Sequence, residues 1–389
     1  QAAEAWSQGF TGSRDTYVAV IDTGVDISHP DLASNIWTNA DEANGTAGVD
    51  DDNNGFVDDL HGWDFANNDD SVFDDAQSDR HGTHVAGTVA AEGNNGLGVV
   101  GINWAATVIP VKFLDEPRGT LGDVVQAIDY VTRLRTEKGL NVAATNNSWK
   151  LSGYSRTLRD AIRRGGDAGI TFVAAAGNSG TDNDEIATYP ASYDCATAYR
   201  SWDCVVAVAA TGRDGQLTDF SQYGAASVDI AAPGQDILST TPGGTYDVLS
   251  GTSMAAPQVA GALALCVSAN RSIPMSRMRT DLLQSGIPIA ALAGKVASGK
   301  SLDVGALLTL CGQPAEAFSG VPEALSVSAT YTHSIRLDWL DRVKGEHGFE
   351  IQIADGSCGP SASFRHAAFI GPGLETFEIR HLEEASMYW

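Results

Sequence analysis

The chain has 389 residues, with 49 acidic and 24 basic side chains, a net charge of −25 and a pI near 4.4. Hydrophobic residues at 43% suffice for a core and exclude bulk disorder, while the acidity excludes nucleic acid and anionic membranes as electrostatic partners. The longest apolar runs, such as Val259–Val267, reach about half of the ~20 residues a bilayer span needs, so no membrane span is expected. Gln1 opens into Ala-Ala-Glu-Ala-Trp, without a signal-peptide pattern. The five cysteines, Cys195, Cys204, Cys266, Cys311 and Cys358, include no Cys-x-x-Cys pair, which argues against a zinc ribbon or a thioredoxin-type site.

The first element in chain order is a buried strand at Tyr17–Ile21, which delivers Asp22 to its end before Thr23-Gly24. Open α/β sheets place their sites at such carboxyl ends. Read alone, Asp22 also fits a turn cap with Gly24. Residues 41–80 follow with thirteen acidic side chains and one Arg, a local charge of −12. Trp63, Phe65, Gly55 and Phe56 interrupt this block, which points to folding around a cation rather than to a solvated run. Asp50, Asp52 and Asn54 alternate, Gly55 stands sixth, Phe56 offers a carbonyl, and Asp58 and Asp59 follow. This is the first two-thirds of an EF-hand-like calcium loop. The twelfth position is His61 instead of Glu, so no helix–loop–helix hand is expected, and Asp59 or Asp64 completes the shell.

His81-Gly-Thr-His84 then enters a helix of small residues. A His at that entry can be held in one tautomer by a carboxylate such as Asp22. A metal site on the two histidines has no third ligand nearby, and His84 reads as a solvent-facing structural residue. Strands are expected at Thr107–Phe113, Val142–Asn146, Ile170–Ala175 and Val205–Ala209. Between them, Leu121, Val124, Val125, Ile128, Val131 and Leu134 recur at helical spacing behind a Thr120/Asp123 capping box. A second helix is expected from about Ser155 to Ala168. The strand at Ile170 ends in Gly177-Asn178, which alone reads as a turn with an exposed amide. Ser253, after Gly251-Thr252, starts another helix, where it fits an N-cap as well as a nucleophile. The alternation predicts an α/β fold, a mostly parallel sheet flanked by helices, over residues 1–312. Residues 313–322 read as a linker. Residues 323–389, with β-rich runs at Ala324–Ala329, Ser334–Leu340 and Gly348–Ala354, read as an incomplete all-β sandwich module.

Each segment is ambiguous alone, but acyl transfer needs a hydroxyl, a base, a carboxylate and an oxyanion donor together. The chain supplies Asp22, His81, Asn178 and Ser253 in that order. With Asp22-Thr-Gly, His81-Gly-Thr-His-Val-Ala-Gly and Gly251-Thr-Ser-Met-Ala-Ala-Pro, residues from about Ala5 to Cys311 resemble the subtilase family of serine proteases. The resemblance implies Ser253 as nucleophile, His81 as general base and then acid, Asp22 as its orienting partner, and Asn178 with the Ser253 N–H as oxyanion hole. It implies that a peptide pairs along Ser148-Trp149-Lys150 and along a second edge that includes Gly119. Residues 174–177, with Ala175 and Gly177, would wall the P1 pocket. Lys150 stands where the family usually has glycine, the edge at 116–120 is short, and Gln258 replaces a usual histidine. Ser179 in place of a carboxylate implies an apolar or aromatic P1 residue. A second calcium ion is implied at Asp31 and Asn95, with carbonyls near Leu97 and Val99. Cysteine pairs at Cys195–Cys204 and Cys266–Cys311 are plausible, which leaves Cys358 over. The tail, with Ser334-Ile-Arg-Leu-Asp-Trp339, resembles a fibronectin type III module with Trp339 in its core.

The leading expectation is a secreted, monomeric, calcium-stabilised serine endopeptidase. Its partners would be protein or peptide substrates and an N-terminal prosequence. Two other readings stand beside it. The same triad supports a transpeptidase that passes the acyl group to an amine. A non-catalytic adhesion protein is opposed by the intact triad.

Overall fold

The computed structural model describes residues 2–115, 119–151, 153–195, 203–312, 323–331, 334–340, 349–353, 365–370 and 376–380. Contacts divide the chain into two compact units: residues 1–194 with 204–312, and residues 195–203 with 313–389. The expected linker at 313–322 and Cys358 lie outside the described residues.

The first unit holds helices α1 (Ala2–Ser7), α2 (Ala40–Ala43), α3 (Arg80–Ala90), α4 (Leu121–Thr136), α5 (Arg156–Asp167), α6 (Thr252–Ala269), α7 (Met275–Ser285) and α8 (Val304–Cys311). Its larger sheet uses β1 (Tyr17–Asp22), β2 (Trp63–Asp64), β3 (Thr107–Lys112), β4 (Val142–Asn147), β5 (Thr171–Ala175), β6 (Val205–Thr211) and β7 (Ile230–Pro233), and a hairpin pairs β8 (Ile237–Thr241) with β9 (Thr245–Leu249). β10 (Ile287–Pro288) and β11 (Lys300–Ser301) extend the sheet to the order β10-β11-β7-β6-β5-β4-β1-β3-β2. Every pairing in it is parallel except β10 with β11. β3, β4, β5 and β6 are buried along their whole length, as apolar runs without alternation require when helices cover both faces. The chain runs one way from β1 to β3 and β2, and the other way to β4 and beyond. β1 is thus the switch point of the sheet, and Asp22 is its last residue.

The expected helices form where the periodicity puts them. Thr120 accepts from Asp123 N while Asp123 bonds back, so the capping box is complete, and Val124, Ile128, Val131 and Leu134 are buried. Ser155 caps α5 through Leu158 N (3.3 Å). The strands fall within one or two residues of the expected ends. The β8–β9 hairpin was not legible, because its burial shows no clean alternation. α6 is long and apolar enough to cross a membrane by composition, yet 78% of that window is buried inside the fold, where it packs against α3 and β4–β7.

The second unit contains two small antiparallel sheets. β12 (Glu323–Tyr331) pairs with β13 (Ser334–Leu340), and β13 with β16 (Thr376–Arg380); β14 (Phe349–Ile353) pairs with β15 (Arg365–Ile370). Trp339 is 6% exposed.

Candidate active site

The switch-point strand carries the first site residue. The Asp22 side chain is 1% exposed, and its Oδ1 accepts from Thr23 N (2.8 Å) and from His81 Nδ1 (2.7 Å). Oδ2 is buried without a partner among the described residues. The carboxylate is therefore under-solvated, and much of its charge is left to act on the imidazole. α3 brings His81 this close because Gly82 lies on the Gly24 loop: a Cβ at Gly82 would meet Gly24 O at 2.2 Å. The loop is then tied down by Gly82 N donating to Thr23 Oγ1 (3.1 Å). The His81 ring keeps 34% of its surface exposed, toward the pocket. Burial alone would lower its pKa, but the charge and hydrogen bond of Asp22 outweigh this and raise it above the usual 6.5.

His84 does not face solvent as expected. It is fully buried, and its Nε2 bonds Ile237 O (3.0 Å) and Asp247 O (3.2 Å), which fastens α3 to both strands of the β8–β9 hairpin. Burial pushes its pKa down to about 4, so it is neutral at pH 7. The helix turns once per 3.6 residues, so the third residue after His81 comes round to a side covered by the hairpin, which the sequence had not revealed. Lys112, also fully buried, was not singled out. It bonds Asp74 Oδ2 and Asp79 Oδ1 at 2.7 Å each at the start of α3, and these bonds keep it charged against the cost of burial.

α6 presents the second half of the site. Pro257 lacks an N–H, so the Ser253 carbonyl four residues earlier loses its helical donor. Ser148 fills the gap: its Oγ donates to Ser253 O (2.9 Å), and Ser253 Oγ donates back to Ser148 O (3.3 Å). The latter bond is long and can be exchanged for one to imidazole when substrate closes the site. Asn178 caps α6 from the end of β5. Its Oδ1 accepts from Thr252 N and Thr252 Oγ1, both at 2.9 Å, which leaves its Nδ2 as the donor that faces outward. Thr252 Oγ1 also accepts from Gly177 N (3.1 Å). Gly177 has φ +114°, and a Cβ there would meet Gln222 Oε1 at 1.9 Å, so the turn that aims Asn178 needs glycine. Among the described residues the Ser253 N–H has no acceptor. His81, Asn178, Ser253 and Met254 line one pocket of about 330 Å³. A carbonyl held there would meet a hydroxyl, an imidazole and two free N–H donors, the set that acyl transfer requires.

The other substrate positions divide. Ser148 touches Ser253, Lys150 is exposed, and Ala175 ends β5. Trp149 turns its side chain into the core, 7% exposed and edge-on to Phe113 (5.1 Å) and Phe172 (6.2 Å), while the pairing expected along 148–150 concerns its main chain. Gly119 has φ +114°, while 116–118 lie outside the described residues.

In the acidic loop, carboxylate oxygens of Glu42, Asp52 and Asp59 converge within 4.8 Å. Glu42 had no signal in the sequence, since it sits in α2, eight residues before Asp50. Asp59 is fully buried, with Tyr130 Oη (2.6 Å), Asn39 and Asn54 donating to it, yet burial still pushes it up to about 6. Phe56 packs against Trp63, Phe65 and Tyr130 as the loop's apolar anchor. Asp50 takes the N–H groups of Asn54 and Gly55, and Asp58 that of Gly48. Asn54 Oδ1 takes Phe56 N (2.7 Å). At the second expected metal position, buried Asp31 accepts from Asn95 Nδ2 (2.6 Å) and Val99 N (3.0 Å), and Leu97 N bonds Asn95 Oδ1 (2.9 Å). Cys266 and Cys311 form a disulfide, Cα–Cα 5.5 Å, that ties α6 to α8. Cys195 and Cys204 are also disulfide-bonded.

The sequence comparisons agree with this geometry. Residues 13–312 match the subtilase family. Subtilisin-like protease 1 of Plasmodium berghei (strain Anka) is 34% identical over 303 residues, which cover 74% of this chain and 49% of that protein. Subtilisin BL of Lederbergia lenta is 37% identical over 283 residues, 72% of this chain and 87% of that protein. The thermophilic serine proteinase of Bacillus sp. (strain AK1) is 37% identical over 263 residues, 67% of this chain and 54% of that protein. The chain spans about half the length of the Plasmodium relatives it matches. A carboxylate at the switch of a parallel sheet, an imidazole at the head of α3 and a serine at the head of α6 thus all occur within the match over residues 13–312, and the chain belongs to the subtilase family.

Proposed function

We propose that this chain is a secreted serine endopeptidase that cleaves proteins or peptides through an acyl-enzyme. Ser253 Oγ attacks the scissile carbonyl while His81 takes its proton, and the Asn178 Nδ2 and Ser253 N–H groups receive the oxyanion. Asp22 holds the imidazole by Nδ1 and stabilises its charged form. His81 then protonates the leaving amine, and water repeats the sequence on the acyl group. The observation that carries this reading is the 2.7 Å Asp22–His81 bond in a pocket also lined by Ser253 and Asn178.

The wall 174–177 is built of alanine and glycine, and Ser179 brings no charge, which supports an apolar or aromatic P1 residue. The Cys266–Cys311 disulfide supports an oxidising, extracellular setting. Calcium is the cation that the oxygen donors of the acidic loop suit. Glu42, Asp52 and Asp59 would hold it, and what it supplies is cancellation of three convergent negative charges. Asp31, with Asn95, Leu97 and Val99, is the second candidate. The antiparallel strands of the second unit support a fibronectin type III-like module, and we read the catalytic unit as monomeric and made with a prosequence.

The test is hydrolysis of a peptide with aromatic P1 by the native chain and by Ser253→Ala, each with calcium and with chelator. Cleavage that disappears in the variant and weakens on chelation supports the reading. Equal cleavage by the variant overturns the nucleophile assignment. An Arg or Lys optimum in a positional peptide library overturns the P1 assignment alone.

A further inference from the structure

The carboxyl ends of β6 and β7 open onto a second cleft beside the catalytic pocket. Thr211 and Pro233, the last residues of these strands, are register partners. The chain leaves Thr211 in a turn closed by Gly212 N to Gln216 O (2.9 Å) and Gly215 N to Gly212 O (3.0 Å). From Pro233 it passes through Asp236, at φ 54°, into β8. Between these turns and the β10–β11 pair lies a cavity of about 490 Å³, within the range that ligand sites occupy. Ile237, Ile287 and Ile289 are half-buried in its wall, and Leu238 is 52% exposed. Arg213 and Asp236 are its charged groups.

The cavity adjoins the catalytic pocket across a shared wall. Asp236 N donates to Ser250 Oγ (2.9 Å), and Gly251 N donates to Gly234 O (2.8 Å). Ser250 itself lines the pocket that holds His81 and Ser253. Ser148, just past the end of β4, approaches Ser253 within the segment along which the resemblance has a peptide pair. Ser250, on another rim of that pocket, borders the cleft through its bond with Asp236. Arg213 is exposed and has no ion pair among the described residues, in a chain with 49 acidic side chains. A free guanidinium beside an aliphatic wall suits a carboxylate carried on an apolar segment.

We infer that this cleft is a subsite for the leaving side of the substrate, which takes an aliphatic residue together with an acidic one. The inference rests on the peptidase reading above. Asp236 lies at the end that borders Ser250, so its charge places the acidic residue farther along, against Arg213. Binding there would be realised in KM, because the contact is remote from the reacting atoms.

The experiment uses the full chain and three quenched peptides with one common acyl side. One stops a single residue past the scissile bond, one continues with a leucine- and glutamate-bearing segment, and one has that glutamate replaced by glutamine. The extended acidic peptide is expected to show kcat/KM about tenfold above the other two, mainly through KM. Arg213→Gln should remove that advantage and leave the short peptide unchanged. Leu238→Ser, at an exposed position that tolerates polarity, should reduce it for both extended peptides. An advantage that survives Arg213→Gln, or none in the native chain, overturns the inference while the peptidase reading stands. If no peptide is cleaved, the peptidase reading fails separately, and the cleft is tested by fluorescence anisotropy of the labelled leaving-side segment on Ser253→Ala. Binding that is lost in the Arg213→Gln double variant supports the cleft, and absent or Arg213-independent binding overturns it.

Discussion

The catalytic centre and the acidic loop both bury carboxylates, but they handle the charge in different ways. Asp22 faces a single titratable partner, His81, at 2.7 Å, and keeps its second oxygen without a donor. Around Asp59, neutral donors from Tyr130, Asn39 and Asn54 surround one carboxylate, while Asp52 and Glu42 crowd in beside it. In the first place the charge is kept available for a proton that moves. In the second it is partly offset by Lys138 Nζ, 3.0 Å from Asp52, and by backbone N–H groups on Glu42, and the proposed calcium ion would complete the neutralisation. The centre should therefore respond to pH through activity, and the loop should respond to chelation through stability.

Ser253→Ala tests the first half most severely. Turnover should fall on the order of 10⁶-fold, the magnitude measured for subtilisin itself, with little change in thermal stability. Asp22→Asn should cost about 10⁴-fold, because the amide favours the wrong tautomer. The native profile of kcat/KM against pH should lose activity on the acid side at an apparent pKa above 6.5, since His81 is raised and must be neutral to act as base. Asn178→Ala should lower kcat by about 10²–10³, with KM nearly unchanged, because the oxyanion exists only in the transition state. Kinetics of the purified variants check all three.

Stability can be read on both sides, at the helix that carries His81 and at the acidic loop. His84 titrates near 4 when folded against 6.5 when unfolded. The unfolded chain therefore binds its proton more readily in that window, so this contribution is complete above pH 6.5 and is lost as pH falls toward 4. Its size is roughly 3 kcal/mol, and denaturant melts of His84→Gln should show a flatter pH dependence between those limits. Glu42→Gln relieves one of three crowded charges. It should lower the calcium-free penalty and also weaken calcium stabilisation, each by about 1–2 kcal/mol, as calorimetry with and without calcium would show. An unchanged response to chelator would remove calcium from this cluster.

Much of the centre was legible because each residue stands at a backbone landmark. Asp22 ends an apolar strand, His81 opens a helix of small residues, and Ser253 follows a glycine. Thr120 and Asp123 declared their helix by chemistry at fixed spacing. What the sequence hid depends on long-range packing. Glu42 reaches Asp52 and Asp59 from a four-residue helix with no periodic pattern. Thr252 looks like an ordinary first helical residue, yet its hydroxyl links Gly177 to Asn178. Trp149 sits in the segment expected to pair with substrate through its main chain, and nothing in its spacing showed that its ring packs on Phe113 and Phe172. His84 became a core residue because a hairpin with no alternation covers it.

The most direct measurement is labelling with a fluorophosphonate, followed by peptide mapping of the native chain, Asp22→Asn and His81→Ala. One adduct is expected, on the peptide that contains Ser253, formed rapidly by the native chain and far more slowly by both variants. An adduct on another serine, or labelling at Ser253 that is indifferent to Asp22 and His81, would contradict it.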